Sequence, residues 1–167
     1  MLAGFRAAAL LAATVTMGLA AGLFYAFSIA VMPGLARVGD RAFVEAMQRI
    51  NVAILNGWFA LGFVGAPLFT ALAAALSLGA GGRRALPWIA AALVLYGAAL
   101  VITFRVNVPL NDALVAAGEP DRIADPAAVR GGFEASWVRW NAARTVASTA
   151  ALACLAWALV LEGRQAV

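Results

Sequence analysis

The chain is predicted to be an all-α integral membrane protein: a four-helix bundle with one additional amphipathic, interfacial helix after the first span. Three observations carry this. Apolar residues make up 65% of the 167 positions, against roughly 45–50% in soluble domains, and the mean hydropathy is +0.92. Charged residues are only 12% and gather at a few places, instead of recurring every third or fourth position as on a solvated helix face. Between those places lie four apolar runs, each long enough to cross about 30 Å of hydrocarbon at roughly 1.5 Å per residue. The whole chain, 1–167, reads as one membrane domain.

The first span covers about residues 7–32. A secretory core would be about 7–15 residues long, whereas this one runs on through Phe24, Tyr25, Phe27 and Ile29, so it is expected to stay as a membrane helix. Pro33 and Gly34 are expected to stop it, and Asp40 to cap an amphipathic helix over about 41–55. Phe43, Met47, Ile50 and Ile54 share one face of that helix, while Arg41, Glu45 and Gln48 fall opposite and Glu45 pairs with Arg49 at i,i+4. This pattern suits a helix lying at the membrane surface or leading obliquely into the next span. The second span covers about 57–79, a Gly-rich turn holds Arg83 and Arg84, and Pro87 opens the third span at about 86–105. Residues 106–132 turn to Asn, Asp, Glu, Pro and Gly and read as a polar loop, of a length uncommon unless functional or disordered. The fourth span covers about 140–161.

Four crossings put both termini and the Arg83/Arg84 turn on one side. All 12 basic residues are Arg. Four of them crowd the short segments of the terminal side, whereas eight are spread over the other side with seven of the eight acids. The orientation rule counts basic residues close to the spans, and local density places both termini in the cytoplasm of a multi-pass cell-membrane protein. The formal charge is +4 and the pI is near 10.6, yet these arginines sit at span ends, where they snorkel to headgroups. Nucleic acid is therefore not expected as a partner; the bilayer is.

The single Cys154 excludes an internal disulfide, and no His is present. No metal site is expected, because the usual nitrogen and thiolate ligands are missing. No phosphate loop, dinucleotide glycine pattern or nucleophile elbow occurs, so no cofactor is expected either.

Glu134, Trp137, Asn141, Arg144 and Ser148 recur at steps of three and four, forming one polar stripe on the fourth span. Such a stripe is costly in lipid unless it faces another helix or a cavity; Trp137, Arg139 and Trp140 also suit an interfacial belt. On the same side, the third span ends in Arg105, Asn107, Pro109, Asn111 and Asp112. Pro109 disfavours helix at Val108, so the backbone is expected to leave the helix there, with Asn107 and Asn111 either capping freed backbone or binding a ligand. Asn51, Asn56 and Trp58 come to that side as well, and a shallow pocket between helices is the expected site. In the first span, Gly18, Gly22, Ala26 and Ala30 repeat at four-residue steps, a small-residue stripe suited to internal packing or to a homodimer. Tyr25 and Ser28 are further pocket candidates.

The run Ala21-Gly22-Leu23-Phe24-Tyr25-Ala26-Phe27-Ser28 is followed by Val31-Met32-Pro33-Gly34-Leu35 and Phe43-Val44-Glu45-Ala46-Met47-Gln48-Arg49-Ile50-Asn51. Together with Asn107-Val108-Pro109-Leu110-Asn111 and Trp137, Trp140, Asn141 and Arg144, these residues resemble the anthrone oxygenase-like family of small membrane proteins. The resemblance implies oxidation of anthrones to anthraquinones by molecular oxygen without an obvious cofactor. In this chain Glu134 or Asp112 would then be the base that removes a carbon-bound proton, with Arg144, Asn141 and Arg105 holding the resulting anion. Asn107, Asn111, Trp137, Trp140, Asn51 and Asn56 would complete the site around a small apolar aromatic ligand. A mechanism that needs a histidine cannot operate here. The competing reading is a non-catalytic membrane protein that binds a lipophilic ligand or a partner protein.

Overall fold

The computed structural model describes residues 2–164. It contains four helices long and apolar enough to cross a membrane. Helix α1 is Leu2–Leu35, α3 is Gly57–Leu76, α4 is Leu86–Ala116 and α5 is Pro126–Gly163; the amphipathic α2, Asp40–Ala53, joins α1 to α3. Helix α1 packs on α3 and α5, and α5 packs on α4, while α3 and α4 touch less closely and complete the ring. Gly65 allows the close approach of α1 and α3, since a Cβ there would stand 3.2 Å from Thr16 Cγ2. The small residues at Gly22 and Ala26 face outward.

Two prolines expected to end helices do not. In α1 the backbone widens into a π-turn at Phe27–Val31, where the Met32 N–H bonds Phe27 O, and helix resumes through Pro33. In α4 the same device occupies Thr103–Asn107, where the Val108 N–H bonds Thr103 O, and Pro109 follows within helix. A proline ring clashes with the carbonyl four residues back and donates no hydrogen bond. Adding one residue to the preceding turn absorbs that conflict without breaking the helix. Pro67 inside α3 is accommodated differently: its missing N–H leaves Phe63 O free, and Tyr96 Oη of α4 donates to that carbonyl at 3.0 Å.

The expected polar loop over 106–132 is therefore mostly helix. Helix α4 continues to Ala116, and α5 starts at Pro126 with Asp125 Oδ1 accepting from Ala128 N at 3.0 Å. What remains is a short connection containing a 3-10 turn at Pro120–Arg122 and Gly118 at φ 88°, the left-handed conformation glycine adopts just past a helix end. Polar composition reflects the fact that these helix ends stand clear of the apolar bundle; it says nothing against helix.

Asp40 does not cap α2 either; Gly39 occupies the cap position without a side-chain bond. The Asp40 carboxylate instead accepts from Arg130 of α5 at 3.0 Å. Arg130 also donates to Val38 O at 2.9 Å and Ala36 O at 3.2 Å, carbonyls left open where α1 ends, and its guanidinium lies 4.5 Å over Phe43. At the other end of α2, Gln48 Nε2 donates to Leu114 O at 2.8 Å and Gly118 O at 3.0 Å, closing the C-terminus of α4. Phe43, Val44 and Met47 meanwhile bury against Leu114, Phe133 and Trp137. The amphipathic helix is thus fastened over the extended ends of α1, α4 and α5. The Glu45–Arg49 pair expected on its exposed face is formed, at 2.6 Å.

At the opposite end Arg6 Nε donates to Glu162 Oε1 at 2.7 Å, a pair buried on both sides that ties the start of α1 to the end of α5. Gly81 of the α3–α4 turn closes over it, since a Cβ there would come within 3.2 Å of Arg6 Nη1.

Candidate functional site

Helix α3 has 20 residues, whereas α4 has 31 and α5 has 38. The longer helices therefore run on past the start of α3, and the end of α2 with its link to α3 spans the gap. Beneath lies a cavity of about 310 Å³, at the lower end of the roughly 300–1,000 Å³ typical of small-molecule sites. Its walls are mainly aromatic and aliphatic: Phe24 and Phe27 from α1, Ile50 from α2 and Ile54 just past its end, Phe59 and Phe63 from α3, Phe104 from α4 and Trp137 from α5. Val52, Leu55, Phe104 and Val115 at the cavity are also exposed on the outer surface, so its mouth is mainly apolar, with the exposed Asp112 at its rim.

One wall is polar and chemically specific. Arg144 is only 5% exposed. It donates from Nη2 to Asn141 Oδ1 at 2.8 Å and from Nη1 to Thr103 Oγ1 at 3.2 Å, and it lies 4.5 Å over the Phe24 ring and 5.4 Å over Trp137. No ion pair among the described residues includes it, and its Nε has no partner. Aromatic faces and two neutral acceptors are partial compensation for a charge that is costly to bury alone. An anionic or strongly polarised ligand oxygen would complete it.

Asn141 holds this guanidinium in place. Its Nδ2 donates to Phe24 O at 3.0 Å and Ser28 Oγ at 2.8 Å across to α1, while Ser28 Oγ lies 3.0 Å from Thr145 Oγ1. Trp137 Nε1 donates to Asn111 Oδ1 at 2.9 Å, and Asn107 Nδ2 donates to Trp137 O at 3.4 Å. Each π-turn contributes to this wall: one carries Phe27 and Ser28, the other Thr103 and Asn107.

Of the residues singled out from sequence, Arg144, Asn141, Asn107, Asn111, Trp137, Asn51 and Asp112 all line this cavity. Glu134 does not; its carboxylate is taken by Arg130 at 2.7 Å. Asn56 caps α3, accepting from Trp58 N at 3.0 Å and Phe59 N at 3.1 Å. Trp140 packs beside Arg139, 5.6 Å from its guanidinium, and Arg105 and Tyr25 are exposed and outside the cavity walls. Ser28 joins the network. Thr103 and the ring of phenylalanines were not anticipated. A signal for Thr103 existed, because Thr103, Asn107 and Asn111 recur at four-residue steps; it was hidden by reading Pro109 as the end of the helix.

A protein-family model described as anthrone oxygenase matches residues 56–154, more than half of the chain. The matched stretch contains Thr103, Asn107, Asn111, Asp112, Trp137, Asn141 and Arg144, but not the α1 and α2 walls of the cavity. Comparison with curated proteins and with solved structures gives no match. With its membrane-spanning architecture and the matched helices that carry the polar wall, the chain belongs to the anthrone oxygenase family.

Proposed function

We propose that the protein oxidises an apolar aromatic or polyketide-like substrate of the anthrone class with molecular oxygen, at the cavity beside Arg144. The observation that carries this reading is the buried Arg144 guanidinium, which faces an apolar cavity without a carboxylate partner among the described residues. An anthrone carries an acidic methylene group opposite a ring carbonyl. Loss of one methylene proton gives an extended enolate whose negative charge rests largely on oxygen, and a fixed cation in a dry site stabilises that charge far more than water does. The electron-rich carbon then reacts with oxygen to a hydroperoxide, which loses water to leave the second carbonyl. One oxygen atom ends in the quinone and the other in water.

Asp112 is the better-supported proton acceptor, because it lines the cavity while Glu134 is held by Arg130. Thr103 and Asn141 keep the guanidinium oriented, and Phe24 and Trp137 flank a flat ligand. The mainly apolar mouth, formed by Val52, Leu55, Phe104 and Val115, suits a substrate arriving from the bilayer.

One observation favours a second reading: Asp112, the one carboxylate in the cavity lining among the described residues, is exposed, so the same cavity suits an anionic lipophile held by Arg144 and not turned over. Oxygen consumption and product spectra with a simple anthrone separate the two, measured on purified protein beside Arg144→Ala and a protein-free control. Protein-dependent quinone formation that Arg144→Ala abolishes supports oxidation. A rate equal to the control, from folded protein, leaves binding alone.

A further inference from the structure

The hydrogen-bonding capacity of the cavity's asparagines can be followed atom by atom. Asn141 is fully engaged, with its oxygen taken by Arg144 and its nitrogen by Phe24 O and Ser28. The oxygen of Asn111 accepts from Trp137 Nε1. Asn107 differs: it is 1% exposed, its Nδ2 faces Trp137 O, and its Oδ1 is buried with no partner among the described residues. Because the amide is planar, commitment of the nitrogen to the α5 backbone turns the oxygen away from that helix. Two buried donors of cavity-lining residues, Arg144 Nε and Asn51 Nδ2, also have no partner among the described residues. Buried polar atoms without partners are rare in folded proteins; of the five such side-chain atoms among the described residues, three belong to residues lining this one cavity, and together they outline the complement of a ligand.

We infer that Asn107 is a specificity-determining residue, whose Oδ1 accepts a hydrogen bond from a ring hydroxyl of the bound aromatic ligand next to the oxygen held by Arg144. The preferred ligand class is a planar phenol or enol that offers an O–H to Asn107 and oxygen acceptors to Arg144 and Asn51. Discrimination follows from the acceptor's isolation. An analogue with no O–H leaves Asn107 Oδ1 dry and unpaired, whereas a site without that acceptor treats both ligands alike. The inference rests on the aromatic-ligand part of the proposed function and not on oxidation.

The test is equilibrium binding of 1-naphthol and of 1-methoxynaphthalene to the full chain in lipid nanodiscs, corrected for partition into protein-free discs. The wild type is expected to prefer the naphthol by roughly tenfold or more. In Asn107→Leu the preference should fall to within about twofold, with methoxynaphthalene affinity retained. Asn107→Ala, which cannot overfill the wall, repeats the measurement if the leucine variant melts early. A preference that survives both substitutions, an absent preference in the wild type, or no binding of either probe by folded protein overturns the inference. A wild type that prefers naphthol, loses the preference in both variants and consumes no oxygen with an anthrone upholds it while removing oxidation.

Discussion

Arg144 donates to the side-chain oxygen of Asn141, one turn earlier on the same helix, at 2.8 Å, and Asn141 in turn donates to Phe24 O of α1 at 3.0 Å. The cation is thus held by a residue that also clamps α5 to α1, so its orientation and the helix packing are coupled.

Replacing Asn141 by Leu removes both links. We expect a stability loss of about 1–3 kcal/mol, the penalty for leaving buried partners unpaired, together with at least a tenfold fall in anthrone oxidation. Thermal melting and oxygen uptake in detergent report the two effects. Unchanged turnover would mean that Asn141 does not orient Arg144.

The Arg6–Glu162 pair sits at the other end of the bundle, buried on both sides. Removing one partner leaves a buried charge uncompensated, so Glu162→Gln or Arg6→Met is expected to cost about 3–5 kcal/mol. The double replacement Arg6→Met with Glu162→Leu should recover most of that, because the desolvation cost disappears with the pair. Ligand affinity at the distant cavity should stay the same in the double variant; a loss there would show that the two ends communicate.

Arg130 joins α5 to the corner between α1 and α2 through Asp40, Val38 O and Ala36 O. Arg130→Ala should speed backbone hydrogen exchange within Asp40–Ala53 by about tenfold or more while the spans keep their protection. Equal protection of α2 in both proteins would assign its attachment to Phe43, Val44 and Met47 alone.

Pro109→Ala restores an N–H where the π-turn at Thr103–Asn107 relieves the proline. If the turn relaxes to regular α-helix, Thr103 and Asn107 lose their phase relative to Asn111. We expect equal or higher melting temperature, by up to about 3 kcal/mol in stability, with turnover lowered severalfold. A variant with unchanged activity and unchanged melting would show that the π-turn persists without its proline.

The membrane class, the helix count and the polar face of α5 were legible in the sequence for one reason: hydrocarbon demands long uncharged runs and tolerates polar groups only on an inward face. The stripe of Trp137, Asn141 and Arg144 needed only the helical repeat to be read. The ends of α4 and α5 were misread although their signals were present. Gly118 and the Asp125-Pro126 pair mark a helix end and a helix start, but polar composition outweighed them.

Tertiary structure alone decided which polar residues share a cavity. Glu134 lies on the same stripe as Arg144, yet Arg130 takes its carboxylate; Asn56 looks like a pocket residue and serves as a cap. Thr103 reaches Arg144 on the buried face that Tyr96 and Ala99 begin, the π-turn that starts there sets the phase of Asn107 and Asn111, and the cavity lies where α3 is short and α2 folds back across the gap. These outcomes depend on contacts between residues up to 117 positions apart, as between Phe24 and Asn141. A local pattern can say that a side chain faces inward. Which partner it meets there is set by how the helices pack.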